Sequence, residues 1–396
     1  MQYRRFGRTE LAMPVFSCGG MRYQFQWQDA AWEKIPSASQ RNLEAIIDRA
    51  LGLGINHIET ARGYGTSEMQ LGQILPRYPR EQLIVQTKVS PKEDLQEFID
   101  NWETSWRYLN LDYVDLLGIH GVNTPEILEQ TLRPGGCLAQ ARCWQQEGRV
   151  RFIGFSTHAP MPVIVEAIET GEFDYVNLHW YYIFQDNWPA IEAATRQDMG
   201  VFIISPADKG GLLYKPSEKL TRLCVPLSPM VFNDLFCLSH PQIHTLSIGA
   251  ARPTDFDEHL KTLDYLRDSA NLSAVLNPIL ANLEAAFVET LGEEWARAWR
   301  VGLPSLEETP DQINIPVILW LRNLALAYDL VEYGKMRYNL LGNGGHWFPG
   351  QPAKEIDTRR LQDCLRNSPH GEIIPQLLRE THQLLGGQER KRLSGA

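Results

Sequence analysis

The sequence predicts an α/β fold, a (β/α)8 barrel followed by a helical C-terminal extension. Eight short apolar runs alternate with amphipathic segments from residue 14 to about residue 269, and eight strand–helix units in about 270 residues are the count and size of such a barrel. The alternation then stops, and longer helical patterns follow. The turn after the first strand, "GGMRYQF", lacks the G-x-G-x-x-G pattern of a doubly wound open sheet, which is the main rival fold.

The eight apolar runs are short and rich in β-branched residues, as buried parallel strands are. They lie at 14–20, 56–61, 83–89, 113–120, 150–157, 175–182, 200–206 and 243–250. Helical periodicity predicts helices between them, among them 39–54, 94–111, 161–173 and 255–269. The opening segment, "YRRFGRTELAMPV", predicts a small hairpin that plugs the bottom of the barrel.

Two domains are expected from this pattern, a barrel over 1–268 and a helical domain over 269–396. In the second domain, periodicity predicts helices at 272–296, 315–334, 358–366 and 373–386 and a loop at 341–352.

Net charge and cysteine spacing exclude several classes of protein. The 396 residues carry a formal charge of −10, whereas a nucleic-acid-binding surface is basic. No two of the six cysteines have CxxC spacing, so the usual zinc and iron–sulfur patterns are missing. The sequence shows neither a signal peptide nor an apolar run of membrane-spanning length. We therefore predict a cytoplasmic protein with reduced thiols and without nucleic-acid or membrane partners; the oligomeric state is not indicated.

Ionisable residues stand at the ends of three successive predicted strands, where barrel enzymes hold their active sites. Glu59 and Tyr64 end the second strand, Lys88 lies on the third, and His120 ends the fourth. A free phenol has a pKa of about 10, too high for efficient proton transfer near neutrality. A lysine cation beside the phenol would lower that pKa, a carboxylate would hold the lysine, and a neutral histidine would bond a substrate oxygen.

Such a set would reduce a small-molecule carbonyl substrate if a hydride reached the carbonyl carbon. No side chain supplies a hydride, so a nicotinamide cofactor is implied.

Six segments, in this order, carry a resemblance to a known family. They are "GINHIETARGYGTSEMQLG", "IVQTKV", "YVDLLGIHG", "GRVRFIGFST", "FIISP" and "SIGAARPTDFDEHL". Over about residues 1–268 the sequence resembles the aldo-keto reductases. The resemblance implies that Tyr64 is the general acid, that Lys88 is its pKa partner and that His120 orients the substrate. Glu59 stands where most of the family has Asp.

The resemblance also implies a cofactor site, which is less faithful to the family pattern. The positions that match it are Gly20, Met21, Ser156, Thr157, Asn177, Ser205, Pro206, Ser247, Gly249, Arg252 and Glu258. Thr157 replaces the usual Asn, Leu178 the usual Gln, and Ile204 the aromatic residue that often stacks on the nicotinamide. Arg252 is the cation expected to bind a 2′-phosphate, so the implied cofactor is NADPH, with NADH possible.

The tail resembles the C-terminal region of a subgroup of this family. The tail contains "LGNGGHWFPG" and then "CLRNSPHGEIIPQLLRETHQLL". In many members of that subgroup, the corresponding region carries a ferredoxin-type iron–sulfur motif. Only Cys364 remains in the segment, and a cluster needs four ligands. We therefore expect a remnant of such a domain without its cluster and no metal site.

The leading hypothesis is an NADPH-dependent oxidoreductase that reduces an aldehyde or ketone to the alcohol. One alternative is a nucleotide-binding regulatory barrel with lost or weak catalysis, which the departures in the cofactor site favour. The other is a metal-dependent barrel hydrolase, because His57 and Glu59 share one face of a strand and further histidines end other strands.

Overall fold

The computed structural model describes residues 1–343 and 348–390. Its strands are β1 (Tyr3–Arg5), β2 (Ala12–Pro14), β3 (Phe16–Gly19), β4 (His57–Glu59), β5 (Ile84–Val89), β6 (Val114–His120), β7 (Val150–Ser156), β8 (Tyr175–Leu178), β9 (Gly200–Ile203) and β10 (Thr245–Gly249). Strands β3 to β10 close into one parallel barrel, in which β10 pairs with both β3 and β9. The predicted (β/α)8 barrel is confirmed, and each of its strands lies within a predicted apolar run.

Helices fill the connections between the barrel strands and follow the last strand, β10. They are α1 (Ser37–Gly52), α2 (Ser67–Leu71), α3 (Leu95–Leu109), α4 (Pro125–Leu132), α5 (Cys137–Gln146), α6 (Met161–Glu169), α7 (Trp188–Arg196), α8 (Pro206–Lys209), α9 (Glu218–Leu223), α10 (Pro229–Leu238), α11 (Asp257–Leu260) and α12 (Thr262–Leu266). The predicted helix at 255–269 is divided in the structure. Its range begins within a 3-10 turn at Pro253–Phe256, which α11 and then α12 follow.

The N-terminal hairpin covers the amino-terminal end of the barrel, as predicted. Strands β1 and β2 pair antiparallel, with Arg4 opposite Met13. Met13 and Phe6 are fully buried in one apolar cluster with Tyr175 and Phe202, which lie on β8 and β9. The hairpin thus fills the bottom of the barrel with side chains, and the opposite end is left to polar groups.

The predicted helical extension is confirmed. Its helices are α13 (Ser269–Leu291), α14 (Glu293–Ala298), α15 (Ile315–Tyr328), α16 (Val331–Tyr338), α17 (Thr358–Cys364) and α18 (Ile374–Leu385). Two predicted helices are each divided in the structure. Gly292 has φ 86° between α13 and α14, and Asp329 has φ 55° between α15 and α16, a left-handed backbone that ends a helix. Within the predicted loop 341–352, positions 344–347 lie outside the described residues.

The chain forms two compact units. The first contains Met1–Gly210 and Asn233–Ser269, and the second contains Gly211–Phe232 together with the described residues between 270 and 390. Residues 211–232 lie inside the range predicted for the barrel but belong to the second unit. The origin of that unit as a ferredoxin-type remnant stays a prediction.

One helix, Asn271–Leu291, is long and apolar enough to cross a membrane by length and composition, which the sequence analysis did not anticipate. Its buried side chains, Leu276, Ile279, Leu283 and Ala286, recur at the three- and four-residue spacing of a helix that packs one face. The polar residues Asn277, Asn282 and Glu284 are exposed. This pattern is that of an amphipathic helix, whereas lipid would require apolar side chains on the outer face.

Candidate active site

Polar side chains occupy the carboxyl end of the barrel interior. The strand register pairs Gly19 with Glu59, Lys88 with Gly118, His120 with Ser156, and Ser156 with Asn177. Side chains alternate along a strand, and Tyr175 of β8 belongs to the buried apolar cluster that includes Leu116 of β6. Asn177 and His120, an even number of positions further along these strands, therefore face the same interior.

Glu59 and Lys88 form a buried ion pair at this end of the barrel. Their side chains are 4% and 2% exposed, and the Lys88 ammonium contacts Glu59 Oε1. The ammonium also donates to the Thr60 carbonyl at 2.7 Å, and the backbone N–H of Gly20 donates to Glu59 Oε2 at 3.2 Å. The longer reach of Glu at this position therefore still gives the predicted ion pair.

The loop after β4 brings Tyr64 to this pair. The phenol hydroxyl lies 3.5 Å from Glu59 Oε1, and the Lys88 ammonium lies 4.9 Å from the centre of the Tyr64 ring. Gly65 has φ 53°, and a β-carbon there would lie 2.0 Å from the Gln26 carbonyl oxygen. The loop can pass this close to Gln26 only with glycine at position 65.

The loop is also fixed from behind by a buried carboxylate. Glu68 accepts hydrogen bonds from Thr87 at 2.5 Å, from Ser105 at 3.0 Å and from Arg62 at 3.1 Å. Because Arg62 lies two residues before Tyr64, these bonds hold both ends of the short segment that carries the phenol.

Burial shifts the pKa values of Tyr64 and Lys88 in opposite directions. It raises the pKa of the Tyr64 phenol above its ordinary value, and the neighbouring Tyr23 adds to that rise. It lowers the pKa of Lys88 well below its ordinary value. The expected lowering of the Tyr64 pKa by Lys88 is outweighed in this structure, because the loss of solvation is the largest effect on the phenol.

His120 and an aromatic loop complete the surroundings of the phenol. The His120 ring stands edge-on to Tyr64, with ring centres 5.9 Å apart and planes at 84°. On another side, Trp27 also meets Tyr64 edge-on, with centres 6.2 Å apart. The structure therefore brings all four predicted catalytic residues together, and it adds Trp27 as an apolar wall beside the phenol.

Residues predicted to hold the nicotinamide lie on the neighbouring strands β7 and β8. The Asn177 side chain is fully buried, and its amide nitrogen and oxygen find no hydrogen-bond partner among the described residues. Leaving such a group unsatisfied costs about 1–3 kcal/mol. Ser156 Oγ accepts from the Gly121 N–H at 3.2 Å. A carboxamide both donates and accepts, so Asn177 and Ser156 fit the amide of a nicotinamide.

Thr157 differs from Asn177 in that its side chain already has hydrogen-bond partners. Its hydroxyl donates to the Val122 carbonyl at 2.6 Å and accepts from the Ala159 N–H at 2.9 Å. Both of its main hydrogen-bonding roles are therefore taken by the backbone, and in this arrangement Thr157 shapes the loop after β7.

The other predicted cofactor positions also lie at this end of the barrel. Gly20 and Met21 follow β3, Ser205 and Pro206 follow β9, and Ser247 lies on β10. A β-carbon on Gly20 would lie 2.5 Å from the Glu59 carbonyl oxygen, so glycine lets this turn lie against β4.

The segment after β10 holds two arginines beside one carboxylate. The Arg252 Nε donates to Asp255 Oδ1 at 2.8 Å, and its side chain is 74% exposed. Arg22 donates to the Gly249 carbonyl at 3.0 Å. Burial alone would raise the pKa of Asp255, but the hydrogen bond from the Ala251 N–H and the charges of the two arginines together lower it. Glu258 pairs with Lys261 at 2.6 Å. Arg22 was missed by the sequence analysis, although a cation in the turn after the first barrel strand was the available signal.

The residues proposed for a metal site are engaged elsewhere. His57 is fully buried, its Nδ1 lies 2.6 Å from Ser17 Oγ, and burial lowers its pKa to about 3. Glu59 is paired with Lys88. Within 1–343 and 348–390, no group of three or more His, Cys, Asp or Glu is placed to hold a metal ion. The geometry therefore favours the ion pair over the hydrolase alternative.

Comparisons with known proteins agree with this geometry. The chain is 28% identical over 176 residues to the L-glyceraldehyde 3-phosphate reductase of Escherichia coli K12, a match that covers 40% of this chain and 46% of the relative. It is 28% identical over 148 residues to the NADH-specific methylglyoxal reductase of the same organism, with 31% and 43% covered. The chain thus spans about half the length of the curated relatives it matches.

Two solved structures share the fold. The holo form of an aldo-keto reductase from Bacillus halodurans superposes with a TM-score of 0.57 at 20% identity and covers 71% of this chain and 96% of that one. An aldo-keto reductase from Klebsiella pneumoniae in complex with NADPH gives a TM-score of 0.53 at 18% identity, with 69% and 95% covered. The family model described as the aldo/keto reductase family matches residues 17–232. The chain therefore belongs to the aldo/keto reductase family.

Proposed function

We propose that this chain is a nicotinamide-dependent oxidoreductase that reduces an aldehyde or ketone to the alcohol, with Tyr64 as the general acid. The proposal depends on one observation. The Tyr64 phenol, the buried Lys88–Glu59 pair and the His120 ring lie together at the carboxyl end of the barrel. A buried lysine in a barrel interior costs free energy unless it is paired. Even a paired buried lysine adds little stability over apolar side chains of similar size, so a purely structural role would not require the Lys88–Glu59 pair beside Tyr64.

When bound, the reduced nicotinamide supplies the hydride to the carbonyl carbon. Residues of this chain do the rest. Ser156 and Asn177 hold the carboxamide, and His120 and Tyr64 face the carbonyl oxygen. The Tyr64 phenol gives that oxygen its proton, so the carbonyl gains one hydride and one proton and becomes the alcohol. The Tyr64 phenol, whose pKa is raised by burial, is protonated at neutral pH and can therefore donate, and the nearby Lys88 cation offsets part of the cost of the phenolate that remains.

NADPH is the proposed cofactor. The protein should prefer NADPH over NADH less strongly than it would if Arg252 stood without a neighbouring carboxylate. Asp255 beside Arg252 offsets part of the positive charge, while Arg22 adds to it. Arg252 and Arg22 are the two cations that we infer contact a 2′-phosphate in this segment. NADH remains a usable cofactor, since the carboxylate of Asp255 could instead accept a bond from a free 2′-hydroxyl.

The deciding experiment is Tyr64→Phe. General acids contribute about 10²–10⁴-fold in rate, so reduction should fall by at least that factor while NADPH, followed by fluorescence titration, still binds. The compounds named in the two Escherichia coli relatives, L-glyceraldehyde 3-phosphate and methylglyoxal, are small aldehydes and are the first to assay.

Tyr78→Phe is the matched control, because that phenol lies on the loop between α2 and β5 and bonds Asp48. Full activity of Tyr64→Phe on a compound that the unmutated protein reduces would contradict the proposal. NADPH binding by the unmutated protein, with no turnover of any carbonyl tested, would favour the regulatory-barrel alternative instead.

A further inference from the structure

The loop between β3 and α1 lies beside Tyr64 and carries Trp27, whose ring is partly exposed. The indole meets the phenol edge-on, with ring centres 6.2 Å apart. Before Trp27 in the chain, the carbonyl of Gln26 accepts from the Thr66 N–H at 3.1 Å, and the Phe25 N–H donates to the Thr66 hydroxyl at 3.1 Å. The chain that leads into Trp27 is therefore bonded to the loop that carries the phenol.

The chain that follows Trp27 is held by an ion pair. The carboxylate of Asp29 contacts the guanidinium of Arg62, which lies two residues before Tyr64. The backbone N–H of Arg62 in turn donates to the carbonyl of Lys88 at 2.9 Å. Arg62 is thus tied to β5 by its backbone and to the Trp27 loop by its side chain, so Trp27 lies between two attachments to the same catalytic loop.

The Arg62 guanidinium is fixed from the inside of the protein. It donates to the fully buried carboxylate of Glu68 at 3.1 Å and lies 5.2 Å from the centre of the Tyr108 ring. The Arg62 side chain is 14% exposed, whereas that of Asp29 is 43% exposed. A planar cation that is already held loses little freedom when it bonds a second carboxylate. The pair should therefore fix the loop better than two mobile surface side chains would.

We propose that the Asp29–Arg62 pair holds Trp27 against the Tyr64 phenol, and that Trp27 packs against the group attached to the carbonyl carbon of the substrate. The substrate contact rests on the proposed function, whereas the placement of Trp27 depends only on the pair. A carbonyl oxygen that accepts from the Tyr64 hydroxyl brings its substituent beside the indole. An aromatic substituent buries more apolar area there than a methyl group does, so aromatic aldehydes should depend more on the pair.

Asp29, and not Arg62, is the residue to change. Removing the Arg62 guanidinium would leave the buried Glu68 carboxylate without its cation, which destabilises a fold strongly. Removing the Asp29 carboxylate leaves the hydrogen bond between Arg62 and Glu68 in place. The Asp29→Ala variant should therefore unfold in urea at the same midpoint as the unmutated protein.

The placement of Trp27 is tested by fluorine NMR on protein in which fluorotryptophan replaces the 11 tryptophans. The resonance that is missing from Trp27→Phe belongs to Trp27. Asp29→Ala should shift and narrow that resonance, because the indole becomes more mobile. Asp198→Ala is the matched control, since it removes an exposed carboxylate that pairs with Arg5 in the N-terminal hairpin, and it should leave the resonance unchanged. An unchanged Trp27 resonance in Asp29→Ala would overturn the proposal.

The substrate contact is tested with benzaldehyde and acetaldehyde, which share the aldehyde and differ in the attached group. Asp29→Ala should lower kcat/KM for benzaldehyde by about two- to fivefold, mainly through KM, and that for acetaldehyde by less. Asp29→Glu should keep most of the activity. In a Trp27→Ala background, Asp29→Ala should cause no further loss, because its effect passes through the indole.

An equal loss for both aldehydes, or an undiminished loss in the Trp27→Ala background, would contradict the substrate contact. A shifted Trp27 resonance in Asp29→Ala, in a protein that reduces no carbonyl compound, would support the placement of Trp27 by the pair. That result would refute the proposed function and, with it, the substrate contact.

Discussion

Two ion pairs stand at the carboxyl end of the same barrel and differ mainly in burial. The side chains of Lys88 and Glu59 are 2% and 4% exposed, whereas those of Arg252 and Asp255 are 74% and 17% exposed. Removing one partner of a buried pair leaves a desolvated charge, which costs about 3–5 kcal/mol, whereas an exposed pair contributes about 0–1 kcal/mol. An ion pair therefore contributes far more to the fixed geometry of its surroundings when it is buried, and an exposed pair keeps its charges accessible to a ligand.

Breaking the buried pair should give the largest effect. Lys88→Met leaves the Glu59 carboxylate buried without its cation, so we expect unfolding to become easier by about 3–5 kcal/mol, measured in urea. Carbonyl reduction should fall by about a hundredfold or more, because the phenolate of Tyr64 loses its nearest positive charge.

The double variant Glu59→Gln with Lys88→Met separates these two effects. Removing both charges should restore much of the stability but none of the activity. Recovery of activity in the double variant would show that the lysine is needed only to hold the fold, and the catalytic role of the pair would then be wrong.

The grouping of the residues around the buried pair could be predicted from the sequence, because the argument needed only strand ends. Residues at the carboxyl ends of adjacent parallel strands must meet, so Glu59, Lys88 and His120 could be grouped without coordinates. The direction of the Tyr64 pKa shift could not be predicted in this way. It depends on how deeply the phenol is buried and on which group takes the ammonium contact, and neither quantity is written in the spacing.

Breaking the exposed pair should have a smaller effect, confined to cofactor choice. Arg252→Ala removes one cation from the segment after β10, and at 74% exposure the lost contact is partly screened by water. We expect the ratio of NADPH to NADH affinity to fall by about three- to tenfold, with no measurable change in stability.

Arg22→Ala is the companion variant. It tests whether the arginine that bonds the Gly249 carbonyl shares the phosphate with Arg252. The preference should also weaken as salt is raised, since exposed charges are screened. Equal affinities for NADPH and NADH in the unmutated protein would show that neither arginine reads the 2′-phosphate.

Contacts between residues on distant loops, such as that of Arg22 with Gly249, could not be predicted from the sequence, and the reason is physical. Arg22 and Gly249 are separated by 227 positions, and the barrel brings them together only because β10 closes against β3. The barrel likewise brings together three side chains from loops of unequal length after three different strands, namely His158, His179 and Lys209. Loop geometry likewise placed residues 211–232 in the second unit, although they fall between two barrel strands in sequence.

The last prediction concerns the order in which the buried groups titrate. In water tyrosine loses its proton at about pH 10 and lysine at about pH 10.4, so the two nearly coincide. Here burial raises the pKa of Tyr64 and lowers that of Lys88. As pH rises, the Lys88 cation should therefore be lost first, while the phenol is still protonated. The kcat/KM for reduction should then decline at alkaline pH, towards the loss expected for Lys88→Met, before any tyrosinate forms at position 64. The difference in ultraviolet absorbance between the unmutated protein and Tyr64→Phe reports that tyrosinate, and the two pH profiles can be compared directly. If the loss of activity and the tyrosinate signal coincide, the phenol is the group that titrates, and burial has not separated the two pKa values as the structure indicates.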